Sequence, residues 1–242
     1  MKYFIDTEFL EGFYKPVFGK RRHFIDLISI GVVSEDGREY YAISNEFNPK
    51  DANIWVRENV IDKIEVALFQ QQPPFAKSHF NFSLKELLKQ YGKSNKQIAR
   101  EIQDFIYKPY KVKWVKETVS EICGFKDFLK RKEPIEFYGY YSDYDWVLFC
   151  SLFGRMTDLP KGFPMYCRDL KQMLDEKETS LRNKDGLIQL STPYEVNGEE
   201  VGLTAMFNNL MELADYPEQV NEHNALEDAK WNRRFYEFLQ TL

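Results

Sequence analysis

The chain has 242 residues, 43% of them apolar, and a formal net charge of -5. That is enough chain to bury a full core as one domain over 1–242, and the acidic balance excludes the global positive field that holds duplex DNA non-specifically. Cys123, Cys150 and Cys167 are too few and too dispersed for a disulfide framework or a zinc site. The longest apolar run, WVLFCSLF, falls far below the ~20 residues that span a bilayer. With no basic, apolar leader ahead of the first strand, the chain reads as soluble and cytoplasmic, with no membrane partner.

In chain order, FIDTEF (4–9) reads as a strand, followed by a mixed loop, EGFYKPVFGKRRH. The runs FIDLISIGVV and REYYAIS then form a β-hairpin that reverses at Asp36-Gly37, so the first three strands are antiparallel. Helical periodicity follows. Ser83 with Glu86 is a capping signature for a helix stopped at Gly92, and Ser94 with Gln97 repeats it ahead of Ile98, Ile102 and Ile106. A further helix is expected over Thr118 to Lys132, then a short buried strand in PIEFYGYY and a helix in DWVLFCSLF closed by Gly154. Segments 68–82 and 180–200 are loop-like, the second with room for a small hairpin, and a last helix runs from about Ala225 to Leu239. The order predicts an α/β fold, a mixed sheet flanked by helices. Regions of about 68–134 and 175–222 read as insertions.

Chemistry concentrates at three places. Side chains alternate along a strand, so Asp6 and Glu8 share a face with Phe4. Two carboxylates that close repel, and a divalent cation relieves them; read alone, the pair also fits a strand that ends early in a solvated turn. In YYSDYDWVLF, Asp143 and Asp145 sit at a helix start, where the exposed N–H groups favour acids. Ser142 or Asp143 serves as cap, which leaves Asp145 free to face a site. In EHNALEDAKWNRRF, Asn224 with Glu227 is a capping box, with His223 before the helix and Asp228 within it. On one continuous helix His223 and Asp228 would diverge by about 140°; with His223 in the preceding loop they can converge. A capping or surface histidine is the plain alternative. Taken together, the hard oxygen donors suit Mg²⁺ or Mn²⁺. Two such ions ~4 Å apart would align a phosphodiester, and a neutral histidine could take a proton from the attacking water.

The segments FIDTEF, YGYYSDYDWVLF and HNALEDA resemble the three motifs of the DEDDh class of 3′-to-5′ exonucleases, which have a ribonuclease H-like fold. The stretches FIDTEFLEG, IWVREN and HNALEDAKWNRRF carry a narrower likeness, to the mycobacterial-type polyadenylate-specific exoribonuclease branch. The resemblance implies two Mg²⁺ or Mn²⁺ ions. Asp6 would bridge them, Glu8 and Asp228 would help hold the ion that carries the nucleophilic water, and Asp145 would support the second. His223 would be the general base. Thr7, Phe9 and Leu10 fall at positions that contact the terminal nucleotides, although Phe9 also fits ordinary core. The implied activity is release of nucleoside 5′-monophosphates from single-stranded 3′ ends, with RNA expected. A DNA exonuclease and a silent nucleic-acid-binding module stand as alternatives, and adenylate preference follows only from the narrower likeness. Relatives of this class are often homodimers, so a homodimer is an implied partner. KRRH (20–23) and KPYKVKWVK (108–116) are basic runs that could track a single-stranded backbone or merely face solvent.

Overall fold

A computed structural model describes residues 1–64, 84–117, 134–196 and 199–242. The helix expected over Thr118 to Lys132 and the loop over 68–82 lie essentially outside the described residues. The sheet contains β1 (Lys2–Tyr14), β2 (Arg22–Ser34), β3 (Glu39–Ile43), β4 (Glu136–Gly139) and β5 (Arg168–Asp169), in spatial order β3-β2-β1-β4-β5. The first three strands pair antiparallel, and β4 lies parallel to both β1 and β5. This is the expected mixed sheet. Beside it a separate hairpin joins β6 (Ile188–Val196) to β7 (Glu199–Phe207).

Among the described residues, five helices of eight or more residues accompany these strands: α1 (Leu84–Tyr91), α2 (Asn95–Glu117), α3 (Asp143–Phe153), α4 (Leu170–Leu181) and α5 (Ala225–Thr241). Their caps are local. Ser94 Oγ accepts from the Gln97 amide at the start of α2, Gly154 ends α3 at φ 112°, and the Asn224 side chain accepts from the amides of Leu226 and Glu227 to open α5. Between β3 and α1, a short helical turn at Ile54–Val56 runs into π-helical Arg57–Ile61. Among the described residues, no helix is long and apolar enough to cross a membrane.

Alternation along β1 divides the core. Tyr3 and Ile5 pack with Ile98, Ile102 and Ile106 of α2 and with Phe149 of α3 on one face of the sheet. Phe4 packs with Leu174 of α4 and Trp231 and Phe235 of α5 on the other. Ile98, Ile102 and Ile106 repeat at helical spacing, so one stripe of α2 covers the sheet. Farther along β1, Leu10 joins a third cluster with Ile28, Ile43, Val60 and Ile61.

Residues 11–23 are not the loop that the sequence suggests: Glu11–Tyr14 and Arg22–His23 are strand. β1 and β2 extend as a paired arm out to Tyr14↔Arg22, leaving only the tip outside the ladder. Lysine, arginine and glycine there leave no apolar alternation to read, and the pairing comes from register and cross-strand contacts. The rings of Phe13 and His23 meet at 5.2 Å.

The approach of α5 to the sheet depends on Gly31 in β2, the cross-strand partner of Asp6. A Cβ there would lie 2.0 Å from the carbonyl oxygen of Ala225 and 2.6 Å from Cα of Leu226. Both obstacles are backbone, so the helix itself would have to move. Gly31→Ala is therefore expected to lower stability by about 1–3 kcal/mol, as overpacking of a filled core does, read as a drop in the urea midpoint.

Candidate active site

β1 brings Asp6 and Glu8 to the face that α5 covers, and the first turn of α5 brings Asp228 to them. Carboxylate oxygens of Asp6, Glu8 and Asp228 all lie within 4.8 Å of one another. Asp145 reaches the strand from the opposite side, as Asp143 and Ser142 leave it free to do. Ser142 occupies the cap position of α3 without a side-chain capping bond, and Asp143 is exposed. Asp145 is buried, and its Oδ1 accepts from the Thr7 amide at 2.8 Å and from the Thr7 hydroxyl at 2.6 Å. Thr7 thus ties the start of α3 to the strand residue between the two acids.

Asp228 is held at two points. Its Oδ1 accepts from Gln219 Nε2 at 2.8 Å and its Oδ2 from the Asn224 amide at 3.1 Å. One turn later on α5, Asn232 donates to the Ile5 carbonyl at 2.9 Å, next to Asp6. Asp228 and Asn232 are four residues apart and so share a helix face, and together they dock α5 on β1.

His223 precedes the helix, as the convergent reading requires. Its φ of 65° places it in the left-handed region that non-glycine residues seldom adopt, and this reversal brings the loop back beside Asp228. The His223 ring meets Trp55 edge to face at 4.8 Å. Lys63 donates to the Glu222 carbonyl at 2.8 Å, so the segment after β3 grips the histidine loop at two places.

Electrostatics show what this crowding costs. Asp6 and Glu8 keep some solvent contact, yet protein surrounds them closely enough that burial is the main cause of their shifts. The Asp6 carboxyl is held well above the usual carboxylate range, by burial first and then by the charges of Asp145, Asp228 and Glu8. Glu8 is pushed up to about 8 by burial and by Asp228 and Asp145, with Lys63 opposing. Burial raises Asp145 to about 6, against the pull of the Thr7 hydrogen bonds. Burial also raises Asp228, while Gln219, Asn224 and His223 draw it down. Hard oxygen donors that repel one another in a partly buried place are the donor set a divalent cation fits.

The remaining sequence candidates separate. Phe9 is half-buried with its ring 5.5 Å from that of Tyr144. Thr7 is buried beneath Asp145, and Leu10 is 1% exposed, its side chain in the third core cluster and not at the surface. A register shift between Glu8 and Phe9, where β2 supplies an extra residue, separates the acids and Thr7 from Phe9 and Leu10. Trp55, Lys63, Gln219 and Asn232 were not legible as site neighbours. The contacts of Trp55, Lys63 and Asn232 cross large sequence separations, Gln219 reaches Asp228 from an irregular segment nine residues earlier, and only the glycine in mid-strand at 31 carried a signal, of close backbone approach.

The raised carboxyls fix the sign of a pH effect. Glu8 and Asp145 bind protons more tightly folded than unfolded, so the metal-free protein is most stable below about pH 4 to 5 with respect to these groups and loses that stability as pH rises toward 8. Thermal denaturation in EDTA should show a falling melting temperature over this range. Mn²⁺ at about 100 times its dissociation constant should restore about 2.7 kcal/mol, and Asp6→Asn should blunt both effects.

The family model of the 3′-5′ exoribonuclease Rv2179c-like domain matches residues 1–240. Two proteins of Mycobacterium tuberculosis, 3′-5′ exoribonuclease Rv2179c of strain H37Rv and 3′-5′ exoribonuclease MT2234.1 of strain CDC 1551, are each 34% identical to the chain over 177 residues. The match covers 73% of this chain and 76% of each of theirs.

Proposed function

Because the chain belongs to the Rv2179c-like 3′-5′ exoribonuclease domain family, we propose that it is a divalent-metal-dependent 3′-5′ exoribonuclease that removes nucleoside 5′-monophosphates from single-stranded 3′ ends. The observation that carries this reading is the meeting of Asp6, Glu8 and Asp228 within 4.8 Å, with Asp145 fastened to Thr7 between the first two.

In this reading Asp6, Glu8 and Asp228, with Asp145 beside them, would hold two Mg²⁺ or Mn²⁺ ions. When bound, the pair neutralises the scissile phosphate and acidifies a water. His223, free of the helix and backed by the Trp55 ring, accepts the proton of the attacking water. Asp228, beside the imidazole, stabilises the charge that forms on it. Thr7 acts as a positioning residue by orienting the Asp145 carboxylate. Phe9, with Tyr144 behind it, offers a ring to the terminal base or sugar, and Leu10 supports the strand from the core beneath.

The catalytic roles are tested with end-labelled RNA and Mn²⁺. Stepwise shortening from the 3′ end is expected, abolished by EDTA or by Asp6→Ala. His223→Ala should lower the rate about 10²–10⁴-fold, the usual contribution of a general base. Shortening that persists in Asp6→Ala with EDTA present would overturn the proposal. Paired RNA and DNA strands of one sequence, compared in the same assay, report whether the 2′-hydroxyl is read.

A further inference from the structure

The arm formed by β1 and β2 has no role in the site described above, yet it grows from the same strand. β4 pairs with β1 over Lys2–Phe4, so from Asp6 outward the sheet neighbour of β1 among the described residues is β2. The pair continues to Tyr14↔Arg22. At about 3.3 Å per residue, Tyr14 stands roughly 20 Å beyond Glu8.

The arm's composition differs from that of the rest of the chain. No acid occurs from Gly12 to Ile25, whereas Lys15, Lys20, Arg21 and Arg22 all do, in a chain of net charge -5. Rings alternate with these cations. Phe13 and Tyr14 are exposed, and Phe18 at the tip is 93% exposed. The Arg21 guanidinium lies 4.3 Å over the Phe13 ring, and His23 meets the same ring from the side while lying 3.6 Å from Glu11. Nearer the carboxylates, Phe9 and Tyr144 continue the series. Large side chains left in solvent in this way call for a partner. Cations interleaved with aromatic rings match a single strand, which presents phosphates in a row and bases with exposed faces.

We propose that the β1–β2 arm binds the single-stranded RNA upstream of the 3′ end held at the carboxylate cluster, with Lys20, Arg21 and Arg22 on phosphates and Phe13 and Phe18 stacked on bases. This inference rests on the exoribonuclease reading above. The arm thereby sets a preference for strands longer than the few nucleotides the cluster itself can hold.

The test is fluorescence anisotropy in an Asp6→Asn background, which prevents turnover, using 5′-labelled RNA strands of about 3 and about 12 nucleotides with the same 3′ sequence, lengths that bracket the short end of single-strand site sizes. Two variants are compared, the Lys20/Arg21/Arg22→Ala triple and the Phe13/Phe18→Ala double, with circular dichroism to check folding. Each should weaken binding of the longer strand by about tenfold or more while leaving the shorter unchanged. The triple variant should also reduce the salt slope by about 2, from about 0.7 per lost cation. Unchanged affinity for the longer strand, or equal loss on both lengths, overturns the proposal. So does dissociation of an oligomer in sedimentation with RNA affinity intact, which would make the arm a contact between copies of this chain. Failure of the exoribonuclease reading shows separately, as an unmodified protein that does not shorten even the shorter strand.

Discussion

Mutual repulsion among carboxylates is the constraint around which this molecule is arranged. Asp6, Glu8 and Asp228 sit within 4.8 Å of one another and Asp145 is near enough to raise two of them. Left to themselves these groups would part, since like charges in a partly buried setting favour separation or protonation. The fold prevents separation by fastening each acid to something rigid. The strand backbone carries Asp6 and Glu8, the Thr7 amide and hydroxyl hold Asp145, and Gln219 with the Asn224 amide holds Asp228.

Those fastenings explain features that seem unrelated. Gly31 is a poor choice for the middle of a buried strand by propensity, yet it clears the path of the Ala225 backbone. Asn232 is a buried polar side chain one turn beyond Asp228 on the same helix face, and it is satisfied by the Ile5 carbonyl; a buried amide with a partner fixes a docking position where apolar contacts alone would allow sliding. The left-handed backbone at His223 is a local strain that the cap at Asn224 and the contacts to Trp55 and Lys63 hold in place. Stability is given up at the cluster and recovered around it.

The same strand serves two purposes along its length. Its first half is core on both faces, with Tyr3 and Ile5 toward α2 and α3 and Phe4 toward α4 and α5. Its second half leaves β4 behind and becomes an arm whose exposed rings and cations contrast with the acidic cluster. On the function proposed above, one end of the strand would receive the reacting phosphate and the other the polyanion that delivers it.

Much of this was legible in the residues themselves. Period two placed Asp6 and Glu8 on one face, Asn224 opened the last helix, Gly154 closed another, and Asp36-Gly37 made the hairpin turn, because each depends on backbone preferences within a few residues. The strand ends within residues 11–23 and the helix α4 leave little trace in the sequence, because charged and mixed segments carry little apolar periodicity. What the tertiary structure alone decided was which distant groups meet: Thr7 with Asp145, Trp55 with His223, Asn232 with Ile5, and the first turn of α5 with Gly31. Such meetings depend on how whole elements pack, and packing is a property of the assembled layers that no window of sequence contains.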